Sequence, residues 1–207
     1  RMRAAYQADR FPAATAGATV ISGEDAVEIN ASDGSLKFRW SLTGDGGLRL
    51  DYSYPLDGEF TYEGITFDHP EEKFVSVKWL GEGPSRVWQN RLRGTSTGVH
   101  EISRSDHKPG GDWIYPEFQG CFGGVFWARI QTESAPVTVS GLQPGTYLRI
   151  GTPRINHMGT TVALPPGDLS FLGGIPAIGS KFITPGKSGP ASQAFKASGE
   201  RTGSLVF

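Results

Sequence analysis

Cys121 is the only cysteine in 207 residues. A lone thiol closes no internal disulfide and builds no cysteine zinc site. Neither sign of charge is in excess: 20 Lys and Arg stand against 21 Asp and Glu, for a net charge of −1. Such a chain lacks the positive footprint of a general nucleic-acid binder, so no nucleic-acid partner is expected. Long apolar runs are missing too. None approaches the ~20 residues that cross a bilayer as a helix, and no membrane partner is expected. The chain opens on Arg1-Met2-Arg3 rather than on Met and an apolar leader, which reads as a piece of a longer polypeptide. Uninterrupted helix-forming stretches are scarce, because 29 glycines and 14 prolines make up about a fifth of the residues. Both break helices, so a helical bundle is excluded. What remains is 37% hydrophobic and 11% aromatic, enough to pack a core.

The apolar residues recur with period two. Leu36, Phe38, Trp40 and Leu42 share one face, with Lys37, Arg39, Ser41 and Thr43 on the other; Leu48, Leu50 and Tyr52 alternate with Arg49, Asp51 and Ser53. Strict alternation describes a strand with one buried and one wet face. The joints are turn chemistry: Asp33-Gly34, Gly44-Asp45-Gly46-Gly47 and Asp57-Gly58. A meander of antiparallel strands is expected near 18–22, 26–31, 36–43, 48–54, 60–67 and 73–80. Further strands are expected near 124–131, 136–140, 147–151, 161–164 and 204–207. Residues 81–120 and 165–191 read as long loops, the second with one helical turn near Ile175–Ile178. Residues 1–17 read as a linker or the remnant of a preceding domain, with a short helix over Arg1–Arg10. Residues 18–207 read as one all-β domain, a large antiparallel β-sandwich.

Catalytic sets are thin. A glycosidase needs two carboxyls held roughly 5–9.5 Å apart. Asp112 and Glu117 flank Pro116 in a loop whose spacing fixes no such separation, and Glu71-Glu72 are adjacent. His69, His100, His107 and His157 fall in no ligand motif. Cys121 has no neighbouring basic or helix-start signal to activate it and reads as a small buried hydrophobe. Gly44–Gly47 lacks the Lys-Ser/Thr and helix of a phosphate loop, so a hairpin turn is expected there. No cofactor and no metal is expected.

The aromatics say more. Trp40, Trp79 and Trp127 fall in strand patterns and belong to a core. Trp88, Trp113, Tyr115, Phe118 and Phe171 fall in loops. An aromatic face suits the apolar face of a sugar ring, and Asn90, Arg91, Asp112 and Glu117 supply polar company for hydroxyls. The bland alternative is that these rings pin long loops to the sheet.

Trp79-Leu80-Gly81-Glu82-Gly83-Pro84, followed by Trp88-Gln89-Asn90-Arg91, resembles the start of the last domain of glycoside hydrolase family 2 β-galactosidases. Further motifs keep that order: Trp113-Ile114-Tyr115-Pro116-Glu117-Phe118-Gln119-Gly120, Val125-Phe126-Trp127-Ala128, Asp168-Leu169-Ser170-Phe171-Leu172, Ile178-Gly179-Ser180-Lys181-Phe182 and Gly189-Pro190-Ala191-Ser192-Gln193. The last three are similar to a subgroup common in polysaccharide-degrading bacteria. The resemblance runs from about Thr19 to Phe207. It implies the large supersandwich shared with galactose mutarotase. It also implies that the two catalytic glutamates lie on an upstream TIM barrel, with Glu82 and Glu117 belonging to domain signatures.

In that family one aromatic of this domain reaches the active site and stacks on the sugar. The match over Asp168–Phe171 places Phe171 nearest to it, with Phe where the family has Trp. Arg91 matches a signature arginine, and the family's Tyr and Asp just before it are Trp88 and Asn90 here. That departure argues against lactose or simple β-galactosides as the parent's substrate.

The expectation is therefore a non-catalytic C-terminal domain of a family 2-like enzyme, completing the active-site rim. Carbohydrate contacts are expected from Trp88, Asn90, Arg91, Trp113, Tyr115, Glu117, Phe118 and Phe171. Its partners would be a polysaccharide or oligosaccharide and the upstream domains, in a periplasmic or secreted parent. Two alternatives stand beside it. One is an independent carbohydrate-binding module. The other is a mutarotase-like enzyme using His157 with Asp168 or His107 with Glu117, since that chemistry needs an imidazole and a carboxylate facing one cavity.

Overall fold

The computed structural model describes residues 2–4, 19–31, 36–69, 71–104, 120–151, 164–179 and 183–207. Thirteen strands run in the order β1 (Met2–Ala4), β2 (Thr19–Ser22), β3 (Ala26–Asn30), β4 (Lys37–Leu42), β5 (Leu48–Phe60), β6 (Glu63–Phe67), β7 (Phe74–Gly83), β8 (Ser96–Ser103), β9 (Trp127–Thr132), β10 (Pro136–Val139), β11 (Tyr147–Ile150), β12 (Leu169–Gly174) and β13 (Phe195–Val206). The described residues include 3-10 turns at Glu71–Lys73, Pro185–Lys187 and Pro190–Ser192. Every strand pairing among the described residues is antiparallel, and the protein is an all-β sandwich.

Three sheets result. One has the order β1-β6-β12-β11, the second β10-β9-β7-β8, and the third β13-β5-β4-β3-β2. Their inner faces feed one core. Phe38, Leu50, Tyr54 and Leu56 come from the third sheet, Ile65, Leu148, Leu169 and Phe171 from the first, and Val77, Trp79, Ala128 and Ile130 from the second. A smaller cluster of Tyr62, Val87, Cys121, Leu172 and Ile175 lies beside it.

Alternation explains the five-stranded sheet. Leu50, Tyr54, Leu56 and Phe60, all even-numbered, turn inward from β5. The twelve-pair ladder with β13 sets Leu205, Gly203, Arg201, Gly199 and Ala197 opposite Leu50, Tyr52, Tyr54, Leu56 and Gly58. Directly paired residues share a face, so Arg201 points to the core side of the sheet. The Gly44–Gly47 run is the β4–β5 hairpin turn, with Gly46 at φ 88° and the Thr43 amide donating to the Gly47 carbonyl. Leu42 and Leu48, expected on the buried faces, pair with each other next to that turn and remain 60% and 45% exposed.

Five expectations need correction. Asp57-Gly58, read as a turn after a strand ending at 54, lies inside β5 and pairs with Ser198 and Ala197 of β13. Met2–Ala4, read as part of a helix or linker, pairs as a strand with β6. Residues 81–120, read as strand-poor, hold the end of β7 and all of β8. That edge strand is too polar to announce itself. Residues 165–191, read as a loop, contain β12, buried on both faces from Leu169 to Leu172, so it shows no alternation. The turn expected near Ile175–Ile178 is not helical; the 3-10 turns come later, at Pro185 and Pro190.

Candidate functional site

Trp88 and Arg91 close a tight turn, each backbone amide donating to the other's carbonyl. The Gln89 amide donates to the Pro176 carbonyl at 3.0 Å, and its side-chain amide donates to the Gln193 carbonyl at 2.8 Å. Asn90 is fully engaged. Its Nδ2 donates to the Ile178 carbonyl at 2.8 Å and to Ser192 Oγ at 2.9 Å, and its Oδ1 accepts from the Ile178 amide at 3.0 Å. The turn thus fastens the chain after β12 to the chain after β7. Trp88 is buried at 2% exposure, and only Arg91 of the four motif positions is exposed. A ring so deep has no face for a sugar, which corrects the expected contact by Trp88. Trp113, Tyr115, Glu117 and Phe118, with His107, Asp112 and His157, lie outside the described residues.

The Trp79–Pro84 motif is structural in the same sense. Trp79 is fully buried, stacks on Phe122 with centroids 4.1 Å apart, and donates its indole N–H to the Glu82 carbonyl at 3.1 Å. Gly81 lies so close to the Gly123 and Gly124 carbonyls that a side chain there would overlap them.

A polar concavity opens elsewhere, between β5 and β13 on one side and β6 and β12 on the other. It encloses about 270 Å³, and its polar wall is Tyr52, Tyr54, Glu63, Thr146 and Arg201. Phe171, with Leu172 and Leu205, forms the apolar part. Phe171 was expected in a loop; it lies within β12 at 2% exposure, contributing a wall rather than a free ring.

Local sequence builds this cavity in three steps. Gly64, at φ 149°, lets β6 press against β12, where a Cβ would strike the Phe171 carbonyl. The β6–β12 register then shifts between Leu172 and Gly174, leaving Gly173 as an extra residue. A Cβ on Gly173 would sit 2.2 Å from Glu63 Oε1, so the bulge and its missing side chain make room for that carboxylate. Across the cavity the Tyr52 ring lies over Gly203, which has no side chain to displace it.

Glu63 is 7% exposed. Tyr54 donates its hydroxyl to Glu63 Oε2 at 2.6 Å, while Oε1 has Arg201 Nε at 3.9 Å, beyond hydrogen-bond length. The buried carboxylate therefore keeps one oxygen with acceptor capacity toward the cavity. Tyr52 and Tyr54 stack with centroids 6.2 Å apart and planes 12° from parallel. Burial, reinforced by the Glu63 charge, pushes the Tyr52 phenol up to about 12 and the Tyr54 phenol higher still, so both remain neutral donors. None of Tyr52, Tyr54, Glu63 or Arg201 was expected from sequence. The one available signal was Glu63 itself, an acid set between Tyr62 and Ile65 in an otherwise apolar strand.

A second group of buried polar atoms surrounds Cys121. Arg149 on β11 is 1% exposed; its Nη1 donates to the Gly151 carbonyl at 2.9 Å, and its Nε has no hydrogen bond. The Arg86 guanidinium lies 5.3 Å from the Phe122 ring centroid, and burial together with the Arg149 charge lowers it to about 10. Cys121 is buried as expected, and burial pushes its thiol up to about 12 although both guanidinium charges pull it down. Such a thiol is inert at neutral pH. No group of three or more His, Cys, Asp and Glu side chains comes together as a metal site among the described residues. No helix among them is long and apolar enough to cross a membrane.

Fold and cavity together define an antiparallel β-sandwich with a polar, tyrosine-walled concavity between two of its sheets. No family model and no curated protein matches the sequence. Among solved structures the chain has a weak likeness to the GalM/aldose epimerase homologue from C. elegans. The TM-score is 0.40 at 7% identity, over 91% of this chain and 67% of that one.

Proposed function

We propose that the chain is a non-catalytic β-sandwich domain of a family 2-like glycoside hydrolase and that it contacts carbohydrate while completing the rim of the parent's active site. The supporting observation is the make-up of the concavity. Among the described residues its lining carries a single carboxylate, Glu63, where hydrolysis of a glycosidic bond calls for two. A half-buried tyrosine, an accepting carboxylate oxygen and a guanidinium are the groups that hold a hydroxylated ring without cutting it. The ordered motifs from Trp79 to Gln193 support the parent class, and the dense hydrogen bonding of Trp88–Arg91 fits a role in holding the domain's shape. The upstream domains are the proposed protein partner, in a periplasmic or secreted parent.

The mutarotase-like alternative has less support, because no histidine among the described residues lines the concavity beside Glu63. Two measurements on the 207-residue chain test the proposal. Migration through polysaccharide-containing native gels should be retarded for at least one glycan. Aryl β-galactosides and β-glucosides should be hydrolysed no faster than in buffer. Hydrolysis above background that disappears in Glu63→Gln would overturn the non-catalytic reading, and unchanged migration through every glycan would overturn carbohydrate contact.

A further inference from the structure

We infer that the concavity walled by Tyr52, Tyr54, Glu63 and Arg201 is a subsite for one uncharged pyranose ring, an inference that rests on the carbohydrate reading above. Three features narrow the ligand. The first is size. A volume of about 270 Å³ lies just under the ~300–1,000 Å³ of ordinary ligand clefts, which suits a single ring and not a disaccharide.

The second is charge. Glu63 and Arg201 face each other with Oε1 and Nε 3.9 Å apart, so among the described residues the site holds one negative and one positive group. A uronate would meet the Glu63 carboxylate, and an amino sugar would meet the Arg201 guanidinium. Adjacent neutral hydroxyls satisfy both: one donates to Glu63 Oε1 while its neighbour accepts from Arg201. The separation is too long for a direct hydrogen bond between the two side chains, which leaves their facing atoms free for that pattern.

The third is shape. Phe171, Leu172 and Leu205 close the inner end but are almost wholly buried, so the half-buried ring of Tyr52 supplies the exposed apolar wall beside the polar one. A pyranose has an apolar C–H face and a polar hydroxyl edge, which match these two kinds of wall. Arg201 projects from the core side of β13 yet keeps 47% of its side chain exposed, so the mouth of the cavity is on its side.

The test is saturation-transfer NMR and calorimetry on the full chain with methyl β-galactopyranoside, methyl β-glucopyranoside, glucuronate and glucosamine. At least one neutral glycoside should bind, and bind more tightly than either charged sugar. Arg201→Ala and Glu63→Gln should each weaken it about tenfold or more. Arg201 is exposed, and Gln at 63 keeps an acceptor for Tyr54, so both variants should melt as the parent does. Preference for glucuronate or glucosamine would overturn the inference. So would binding of neutral sugars that neither substitution changes, or retardation in polysaccharide gels that both variants retain in full; these last results would leave the carbohydrate reading standing. A chain that binds no glycan in either assay would remove both.

Discussion

The Trp88–Arg91 turn and the Tyr54–Glu63 cavity are both polar, and they use their polar groups in opposite ways. In the turn, the Asn90 amide and the Gln89 side chain end on backbone groups of the 176–193 segment or on Ser192, so every donor described there is engaged. In the cavity, Glu63 gives one oxygen to Tyr54 and leaves the other without a hydrogen bond. The turn is recognisable in sequence because its residues are contiguous. The cavity draws on β5, β6, β12, β13 and the approach to β11, stretches that lie far apart in the chain. Contiguity marks a device for holding the fold together; acceptor capacity left over after folding marks the place where something else is held.

The sharpest way to break this contrast is Trp88→Ala. If the turn is structural, losing the buried ring should cost about 3–5 kcal/mol in urea denaturation. A cost near zero would return Trp88 to the list of contact residues. A smaller effect should separate Tyr54→Phe from Asn90→Ala. Each removes partners from a buried polar group and should cost about 1–3 kcal/mol. Only Asn90→Ala should also speed amide hydrogen exchange at Ile178, while only Tyr54→Phe should alter glycan binding.

The smallest expected effect is alkaline. The folded thiol of Cys121 titrates near 12 against an ordinary 9.0, and the Tyr52 phenol near 12 against 10.0. Raised values mean that the unfolded chain loses these protons first. Stability is thus complete below about pH 9 and falls by about 1–2 kcal/mol by about pH 10. Arg86, lowered from 12.5 to about 10, acts with the opposite sign and only at higher pH. Cys121→Ser should move the onset of the loss toward pH 10, which denaturation at a series of pH values reads directly.

Much of the fold was legible because β2 to β7 and β9 to β11 alternate or carry clear turn residues at their ends. β1 was read as helix or linker, and β5 was expected to end at residue 54 because Asp57-Gly58 read as a turn; three further strands were missed or cut short for separate reasons. β8, at a sheet edge, has polar residues on both faces. β12 is buried on both faces and shows no period. β13 was expected only near 204–207, which overlaps its last three residues; Gly199, Gly203 and the charged residues between them carry no alternating apolar pattern. That glycine content has a packing reason at Gly203, where the Tyr52 ring occupies the space. The candidate site was less legible for the same reason: Arg201 sits on a strand that sequence did not reveal, and the register that brings it opposite Tyr54 is a property of the β5–β13 ladder.

The bulge at Gly173 gives chain length a meaning that composition does not. Leu172 and Ile175 are both buried in the small cluster with Tyr62 and Cys121, and the chain reaches Ile175 in that phase only with both glycines between them. Deleting Gly173 would reverse the side to which Ile175 points and draw the Pro176–Ile178 backbone away from Gln89 and Asn90. A single-residue deletion there would therefore disturb the pocket and its distant clasp together, so the spacing from Leu172 to Ile175 acts as a ruler common to both.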